Sequence, residues 1–258
     1  MILARGLGSR MRAAGDGALD GAQAQYADAG IKGMIPVGRP FLDYGINALA
    51  DAGCRRICLV IGPEHDVIRN YYSSLKTTRI EISFAIQQQT LGTADAVLAA
   101  KEFIGNERFL MVNSDNIYPV EALQRLVAMS GSGLIGFDRK ALITHSNIDA
   151  AKVKTYAILE VSAEHVLCRV VEKPEFVPDE ALISMNCWSF TPIIFSACAK
   201  VDRSARGEYE LQSAVQYSID HLDETFRVEP FRGGVLDLSS RADIAPVTAR
   251  LKGCAVNL

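Results

Sequence analysis

Residues 3–12, LARGLGSRMR, combine a glycine-containing loop with arginines, a combination suited to holding a chain of phosphates. Gly6 and Gly8 let backbone N–H groups approach a phosphate, and Arg10 supplies positive charge and a bidentate donor. The loop lacks the third glycine of a dinucleotide-binding fingerprint, because Met11 stands at that position. The motif therefore indicates either a phosphate-binding loop or an ordinary turn, and it disfavours a nicotinamide-dependent dehydrogenase.

Lys32, in the segment KGMIPV, is a second cation that a triphosphate could use. An isolated surface lysine is the commoner case, so this residue alone leaves both interpretations open. No Ser-His-Asp or Cys-His arrangement is evident. We interpret the four histidines as structural or exposed: His65, His145, His165 and His221.

The chain has 258 residues, of which 49% are apolar and 22% charged, and this composition excludes disordered, collagen-like and coiled-coil proteins. Its 27 basic and 30 acidic side chains give a net charge of −3, without the basic excess that non-specific nucleic-acid binding requires. No apolar run is long enough to span a bilayer, and residues 1–15 lack the apolar core of a signal peptide. We therefore expect a cytoplasmic protein that binds neither nucleic acid nor membrane.

The six cysteines are scattered along the chain and form no Cys-x-x-Cys pair. Because most of them lie inside apolar runs, we expect buried thiols in a reducing compartment. They are Cys54, Cys58, Cys168, Cys187, Cys198 and Cys254.

The elements that must position these residues follow from the pattern after residue 40. Residues 40–53 place Pro at a helix start, Gly at its end and apolar side chains at helical spacing between them. Residues 56–62 form a short continuous apolar run, as expected of a parallel strand covered on both faces. The pattern continues with helices near 65–75, 93–104 and 120–129 and strands near 80–87, 108–113 and 133–137. This alternation predicts a doubly wound, mostly parallel, Rossmann-like α/β sheet, whose ligands bind at the carboxyl ends of its strands.

The second half of the chain has a different pattern, with one clear helix predicted over 209–222. Four segments have the character of strands: 155–161, 166–172, 182–190 and 225–238. We predict a single domain over 1–258, in which residues 141–258 add a mixed-strand, substrate-side extension to the first half, 1–140.

Residues 13–31 interrupt this regularity. Eleven of these 19 residues are Ala or Gly, and the stretch contains three Asp and no basic side chain. Such a composition predicts either a mobile flap or a short helix with loose ends.

Eight segments occur along the chain in the order found in sugar-1-phosphate nucleotidyltransferases, and the chain resembles that family over nearly its whole length. Each segment is a weak signal alone, but eight in the right order are hard to obtain by chance. They are LARGLGSRMR, KGMIPVGRPFLDY, QQQTLGTADAV, FLMVNSDNIYP, VEKP, ISMNCWSF, RGEYELQSAV and GGVLDLSSRADI.

The resemblance assigns the first half to the nucleoside triphosphate. In the family, the first loop and a following lysine hold the phosphates, which implies this role for Gly6, Gly8, Arg10 and Lys32. Lys32 follows Arg10 by 22 positions, a larger gap than is usual in the family, so residues 13–31 resemble an insertion.

The segment QQQTLGT resembles the part of the family that recognises the base. There a Gln side chain and a Gly backbone group contact the base edge, which implies this role for Gln87, Gly92 and Thr93. Thr93 also fits the N-cap of the following helix. The segment is most similar to that of uridylyl- and thymidylyl-transferring members, which favours UTP or dTTP.

Asp115 and Asp237 stand where the family has two acidic metal ligands, with Ser114 in place of the usual preceding glycine. Two carboxylates that converge from distant positions would supply the hard oxygen ligands that Mg²⁺ prefers. The other interpretations are an N-cap for Asp115 and an exposed turn for Asp237.

The second half resembles the sugar-phosphate side of the family. Tyr156 and Ala157 stand where the family commonly has Tyr-Gly, and the added methyl group would reshape the sugar pocket. A Glu-Lys pair at 172–173 could otherwise belong to a solvated surface. The resemblance implies substrate contacts for Glu172, Lys173, Asn186, Arg206 and Glu208, with Lys173 counted among the catalytic residues.

The implied reaction is in-line attack by the phosphate of a sugar 1-phosphate, or of a sugar-like cyclitol phosphate, on the α-phosphorus of a nucleoside triphosphate. This acceptor is largely a dianion at pH 7 and needs no general base. Arg10 and Lys32 would stabilise the leaving pyrophosphate. Two alternatives stay open, a cytidylyltransferase acting on an alcohol phosphate such as phosphocholine and a regulatory protein with an eroded site. Many members of the family form homo-oligomers, and the sequence itself leaves that state open.

Overall fold

A computed structural model describes residues 1–13 and 19–258 of the chain. The strands are β1 (Ile2–Leu3), β2 (Arg56–Ile61), β3 (Glu81–Ile86), β4 (Phe109–Asn113), β5 (Asn116–Ile117), β6 (Ser132–Asp138), β7 (Ala157–Val161), β8 (Leu167–Val171), β9 (Leu182–Phe190), β10 (Phe226–Phe231) and β11 (Leu236–Asp237). The helices are α1 (Ser9–Arg12), α2 (Gly21–Ala29), α3 (Phe41–Asp51), α4 (Asp66–Ser74), α5 (Thr93–Ala99), α6 (Lys101–Ile104), α7 (Val120–Ala128), α8 (Arg139–His145), α9 (Ala150–Val153), α10 (Ile193–Cys198), α11 (Leu211–His221) and α12 (Ile244–Leu251).

The main sheet has the strand order β10-β6-β9-β4-β1-β2-β3. Among the described residues, every neighbouring pair in this order is parallel except the two pairs made by β9. Strands β7 and β8 continue antiparallel from β9. The predicted fold, a mostly parallel α/β sheet with a mixed-strand extension, is therefore confirmed.

Helices cover both faces of this sheet, as the alternating side chains of β2 show. Ile57, Leu59 and Ile61 enter one apolar core, in which they meet the helix α3. Cys58 and Val60 point the other way into a second core, which includes residues of α5, α10 and α11. Burial on both faces explains why β2 is a continuous apolar run and not an alternating one.

The helices and strands differ from the sequence prediction where the elements are short and their sequence patterns are weak. The helix predicted over 93–104 breaks at Ala100 into α5 and α6, and the strand predicted over 225–238 divides into β10 and β11. The sequence did not predict α1, α8, α9, α10 and α12, which have four to eight residues and too few turns for a clear helical period. No helix in the described part of the chain has the length and hydropathy needed to cross a membrane.

The prediction that the cysteines are buried is right for half of them. Cys58, Cys187 and Cys198 are buried and Cys54 is half-buried. The prediction is wrong for Cys168 and Cys254, which are exposed. Cys168 lies in β8, whose second and third residues are exposed although the segment is rich in apolar residues.

Candidate active site

The carboxyl ends of β1 to β4 open onto a cleft with two parts, of about 350 and 180 Å³. Arg10, Asn113 and Asp115 line both parts, so the two parts meet at these residues. Twelve of the fourteen predicted site residues line the cleft. In the larger part these are Gly6, Gly8, Arg10, Lys32, Gln87, Gly92, Thr93, Asp115 and Glu208, and the smaller part adds Glu172, Asn186 and Asp237.

Lys173 and Arg206 are the two predicted site residues that do not line the cleft. Both are exposed; Arg206 pairs with Glu210 at 2.9 Å, and Lys173 has a left-handed backbone with φ of 44°. Burial raises the pKa of Glu172, and the charge of Glu210 adds to this rise while Arg206 and Lys173 oppose it. These four charges therefore lie near one another at the rim, with Glu172 as the member that reaches the smaller part.

The glycine loop packs against the end of α2. Gly8 has φ of +59°, and a Cβ atom there would lie 2.7 Å from Gly30 Cα, so glycine is required by both conformation and space. A Cβ atom at Gly6 would meet nothing within 4 Å, which leaves its backbone open to the cleft. Asp20 and Gln23 form a capping box that starts α2. The stretch 13–31 thus contains a helix; residues 14–18, which also belong to that prediction, lie outside the described residues.

The helix α2 is held by Arg241, which donates to Met11 O at 2.9 Å and pairs with Asp28. Lys32 follows α2 and reaches across the cleft, where its Nζ lies 2.8 Å from Asp115 Oδ2. The large gap between Arg10 and Lys32 therefore does not separate the two cations in space, since both line the larger part.

Asp115 and Asp237 converge because β5 and β11 pair antiparallel. In this register Asp237 lies opposite Asn116, and Leu238 N donates to Asp115 O at 2.8 Å. Asp115 is not a helix N-cap, because it precedes the strand β5. Asp237 is not in an exposed turn, because it is 3% exposed. The amide of Asn147 further holds Asp237 by hydrogen bonds to its backbone N and O, at 2.9 and 2.7 Å.

The partners of the Asp237 side chain were not predicted from the sequence. Lys152 Nζ and Ser239 Oγ each lie 2.6 Å from Asp237 Oδ2, and Lys152 also lies 2.9 Å from Asp243 Oδ1. Burial and the nearby Asp115 carboxylate raise the pKa of Asp237, although Lys152 opposes this rise. Nothing in the segment around Lys152 distinguishes it from an ordinary surface lysine, so only the tertiary structure reveals this contact.

Two buried polar groups of the smaller part have no hydrogen-bond partner among the described residues, Asn116 Nδ2 and Tyr156 Oη. Burial, and then the charge of the nearby Asp237 carboxylate and its contact with the hydroxyl, raise the pKa of Tyr156, so this hydroxyl stays protonated near neutrality. A buried donor without a partner is costly. Both groups are therefore available to acceptor atoms of a ligand.

At the other end of the cleft, the loop after β3 is joined to the segment before α11. Gly92 has φ of +110°, and a Cβ atom there would lie 2.5 Å from Tyr209 O. Thr93 Oγ1 accepts a hydrogen bond from Leu211 N at 2.9 Å. The N-cap prediction for Thr93 is wrong, because Gly92 is the N-cap of α5 and the Thr93 hydroxyl caps α11 instead.

The histidines are structural or exposed, as interpreted from the sequence. His65 is buried, its Nδ1 accepts from Gly62 N at 3.2 Å, and burial lowers its pKa. It also lines the larger part of the cleft, which the sequence analysis missed. His145, His165 and His221 are exposed.

Asp115 and Asp237 are the carboxylates of this cleft that fit a divalent cation. In each, the Oδ1 oxygen accepts no hydrogen bond from the described residues, whereas Oδ2 is paired with a lysine. No group of three or more His, Cys, Asp or Glu in residues 1–13 and 19–258 could hold a metal by itself. Two carboxylates completed by water and substrate phosphates form the ligand set that suits Mg²⁺.

Sequence comparisons find similar proteins. The family profile described as nucleotidyl transferase matches residues 29–232, which leaves the glycine loop and Asp237 outside the match. The chain is 30% identical to the low-salt glycan biosynthesis nucleotidyltransferase Agl11 of Haloferax volcanii, over 85% of this chain and 58% of that protein. It is 28% identical to the UTP–glucose-1-phosphate uridylyltransferase AglF of the same organism, over 85% and 82%. It is 26% identical to a glucose-1-phosphate thymidylyltransferase of Streptomyces griseus, over 85% and 57%. The chain thus spans little more than half the length of two of these relatives.

Solved structures share the fold. A UDP-glucose pyrophosphorylase complexed with UDP-glucose superimposes with a TM-score of 0.75 at 18% identity, over 97% of each chain. The UDP-glucose pyrophosphorylase of Acinetobacter baumannii gives a TM-score of 0.75 at 17% identity, over 99% of this chain and 94% of that one.

Proposed function

The chain belongs to the nucleotidyl transferase family, and from this premise we propose that it transfers a nucleotidyl group from a nucleoside triphosphate to a sugar 1-phosphate and releases pyrophosphate. The observation that carries the proposal is the two-part cleft whose parts meet at Arg10 and Asp115. The larger part takes the triphosphate and the smaller part takes the acceptor. The reacting phosphates then meet where the two parts join.

The cations at this junction stabilise the charge that develops on the leaving pyrophosphate. Arg10 has no hydrogen-bond partner among the described residues and lines both parts of the cleft. Lys32 neutralises Asp115 in the structure described here and lies within the larger part, where triphosphate oxygens can take the place of this partner. Fixed positive charge in a cleft is worth more than in water, because it needs no reorganisation as the reaction proceeds.

The acceptor phosphate attacks without a general base, because a phosphate monoester has a second pKa of about 6 and is largely a dianion at pH 7. The enzyme therefore has to position this phosphate in line with the bond that breaks. Lys173 and Arg206, at the rim, are the cations that hold it.

The smaller part binds the rest of the acceptor by hydrogen bonds. Asn116 Nδ2 and Tyr156 Oη are buried donors without partners in the described chain, and Asn186 and Glu172 line the same space. Such a lining suits a ring with several hydroxyl groups, as in a sugar or a cyclitol. Tyr156 is the one aromatic side chain among the described residues that line this part, so the lining lacks the aromatic cage that binds a trimethylammonium cation such as that of phosphocholine.

Mg²⁺ is the metal that we assign to Asp115 and Asp237. When bound, it would supply Lewis-acid stabilisation of the charged phosphates. The two carboxylates would hold the ion, while Lys152 and Ser239 keep the side chain of Asp237 in place through its Oδ2 oxygen.

Pyrophosphate release tests this function. We expect release that requires Mg²⁺, a triphosphate and an acceptor together when UTP, dTTP, CTP, GTP and ATP are crossed with sugar 1-phosphates, cyclitol phosphates and phosphocholine. Arg10→Met should abolish most of the release, whereas Arg55→Met, which removes an exposed arginine outside the cleft, should not change it. Release with CTP and phosphocholine alone would identify an alcohol-phosphate cytidylyltransferase, and no release with any pair would indicate an eroded, regulatory site.

A further inference from the structure

We propose that Asp95 determines which nucleobases this cleft accepts, by fixing the side-chain amide of Gln87 with its carbonyl oxygen toward the base. The inference rests on the proposed function, in which the larger part of the cleft holds the triphosphate. It makes Asp95 a positioning residue, because Asp95 is not among the described residues that line the cleft, whereas Gln87 is.

The backbone of Gln87 is held at the end of β3. Its N–H donates to Ile61 O at 2.9 Å, and its carbonyl oxygen accepts from the Arg5 guanidinium, which Glu64 holds at 2.9 Å. Arg5 follows β1 and Glu64 follows β2, so one guanidinium joins the three loops that follow the first three strands. The side chain is 3% exposed, which leaves it little room to move.

The side-chain amide of Gln87 is held by two acceptors. Its Nε2 donates to Asp95 Oδ2 at 2.8 Å and to Gly92 O at 3.0 Å. Both donor hydrogens are therefore used. The carbonyl oxygen Oε1 has no hydrogen-bond partner among the described residues, so it is the polar atom that Gln87 can offer to a ligand.

Rotation of the amide by half a turn would put Oε1 against both acceptors. An ionised carboxylate and a backbone carbonyl cannot donate a hydrogen bond, so both contacts would be lost and replaced by repulsion between oxygens. The bond to Asp95 is charge-assisted and is the stronger of the two. Asp95 therefore dictates that Gln87 acts on the base as an acceptor only.

Where Oε1 faces the ring nitrogen of the Watson–Crick edge, as we propose, it selects bases that carry a hydrogen on that nitrogen. Uracil, thymine and guanine have such an N–H, whereas the corresponding nitrogens of cytosine and adenine are acceptors. Cytosine or adenine would leave two acceptors facing each other in a buried place, and an unpaired buried polar group is costly. We expect use of UTP and dTTP over CTP, and of GTP over ATP if purines enter at all.

The test compares kcat/KM for UTP and CTP in the wild type and in two variants. We expect the wild type to prefer UTP, Asp95→Leu to reduce the preference at least about tenfold, and Asp95→Asn, which keeps one acceptor oxygen, to lie between them. The change should appear mainly in KM, because Asp95 is remote from the reacting phosphates. Glu102→Gln, which removes an exposed carboxylate from α6, is the matched control and should leave the preference unchanged.

Equilibrium binding of UTP and CTP in the absence of acceptor separates this inference from the proposed function. If UTP binds more tightly than CTP and Asp95→Leu reduces the difference, the inference holds even where no pyrophosphate is released. A wild type that prefers CTP, equal binding of UTP and CTP, or the same preference in wild type, Asp95→Asn and Asp95→Leu would overturn it. Binding of neither nucleotide would overturn it as well.

Discussion

Lys152 Nζ lies 2.6 Å from Asp237 Oδ2, and both side chains are largely buried, with 17% and 4% of their surface exposed. The same nitrogen lies 2.9 Å from Asp243 Oδ1, so one lysine balances two buried carboxylates. Lys152→Met should destabilise the protein by about 3–5 kcal/mol, because it leaves both carboxylates uncompensated. Urea unfolding measures this loss. The nearby exposed Lys154→Met is the control, and an equal effect of the two substitutions would show that Lys152 does not hold the pair.

Asp237 should make stability depend on pH. Its pKa is raised above the ordinary 3.8, chiefly by burial and then by Asp115, so the folded state binds its proton more tightly than the unfolded state does. The free energy of unfolding therefore falls as pH rises from about 3.8 through the raised pKa. Asp237→Asn removes this contribution, so its stability relative to wild type should increase over that pH range. A difference between the two proteins that is constant with pH would contradict the assignment.

Asp115→Asn should lower turnover at least about 100-fold at saturating Mg²⁺, because it removes a carboxylate from the junction where the phosphates react. The fold should be retained, since the substitution is nearly isosteric and residue 115 is not in a core. The control is Asp202→Asn, which neutralises an exposed aspartate. Near wild-type turnover of Asp115→Asn would exclude Asp115 as a metal ligand.

A comparison of Gly92 and Gly105 separates the cost of an unfavourable backbone conformation from the cost of a steric clash. Both have positive φ, of +110° and +61°, but a Cβ atom would meet Tyr209 O at 2.5 Å at position 92 and nothing within 4 Å at position 105. Gly105→Ala should cost about 1–2 kcal/mol of conformational strain, and Gly92→Ala clearly more. Gly92→Ala should also raise the KM for the nucleotide, because it displaces the loop that carries Gln87. Thermal unfolding and steady-state kinetics of both variants check this. Equal effects of the two substitutions would show that a clash with Tyr209 O does not constrain position 92.

Tyr156→Phe should weaken binding of the acceptor without lowering the stability of the protein. The hydroxyl is buried without a partner among the described residues, so its removal should leave the free energy of unfolding unchanged or raise it by about 1 kcal/mol. If the hydroxyl binds the acceptor, the KM for the acceptor should rise while the KM for the triphosphate stays the same. An acceptor KM equal to that of wild type would show that Tyr156 makes no such contact.

The sequence predicted the fold and the edge of the sheet where the site lies, because these depend on local signals. The end of the apolar strand β4 places Asp115 at a carboxyl edge, and the alternation of helices and strands predicts the parallel sheet around it. Asp237 could be placed beside Asp115 only through the family resemblance. The pairing of β5 with β11, which brings them together, involves two residues on each strand and has no periodic signal.

Contacts between distant parts of the chain could not be predicted from local sequence patterns. Lys152 has no motif, and its role depends on the position of α9 beside β11. Thr93 fits a local N-cap, but the nearby Leu211 N competes for its hydroxyl across the fold. The amide orientation of Gln87 likewise depends on Asp95, eight positions away, and on the loop geometry at Gly92.

Transfer of label from [α-³²P]UTP, with glucose 1-phosphate and Mg²⁺ present, tests the central claim most directly. The proposed reaction predicts that the label appears in a sugar nucleotide, with one pyrophosphate released for each labelled product and no transfer without the acceptor. Label released as UMP whether or not the acceptor is present would instead show hydrolysis, and would contradict the assignment of the smaller part of the cleft to a sugar 1-phosphate.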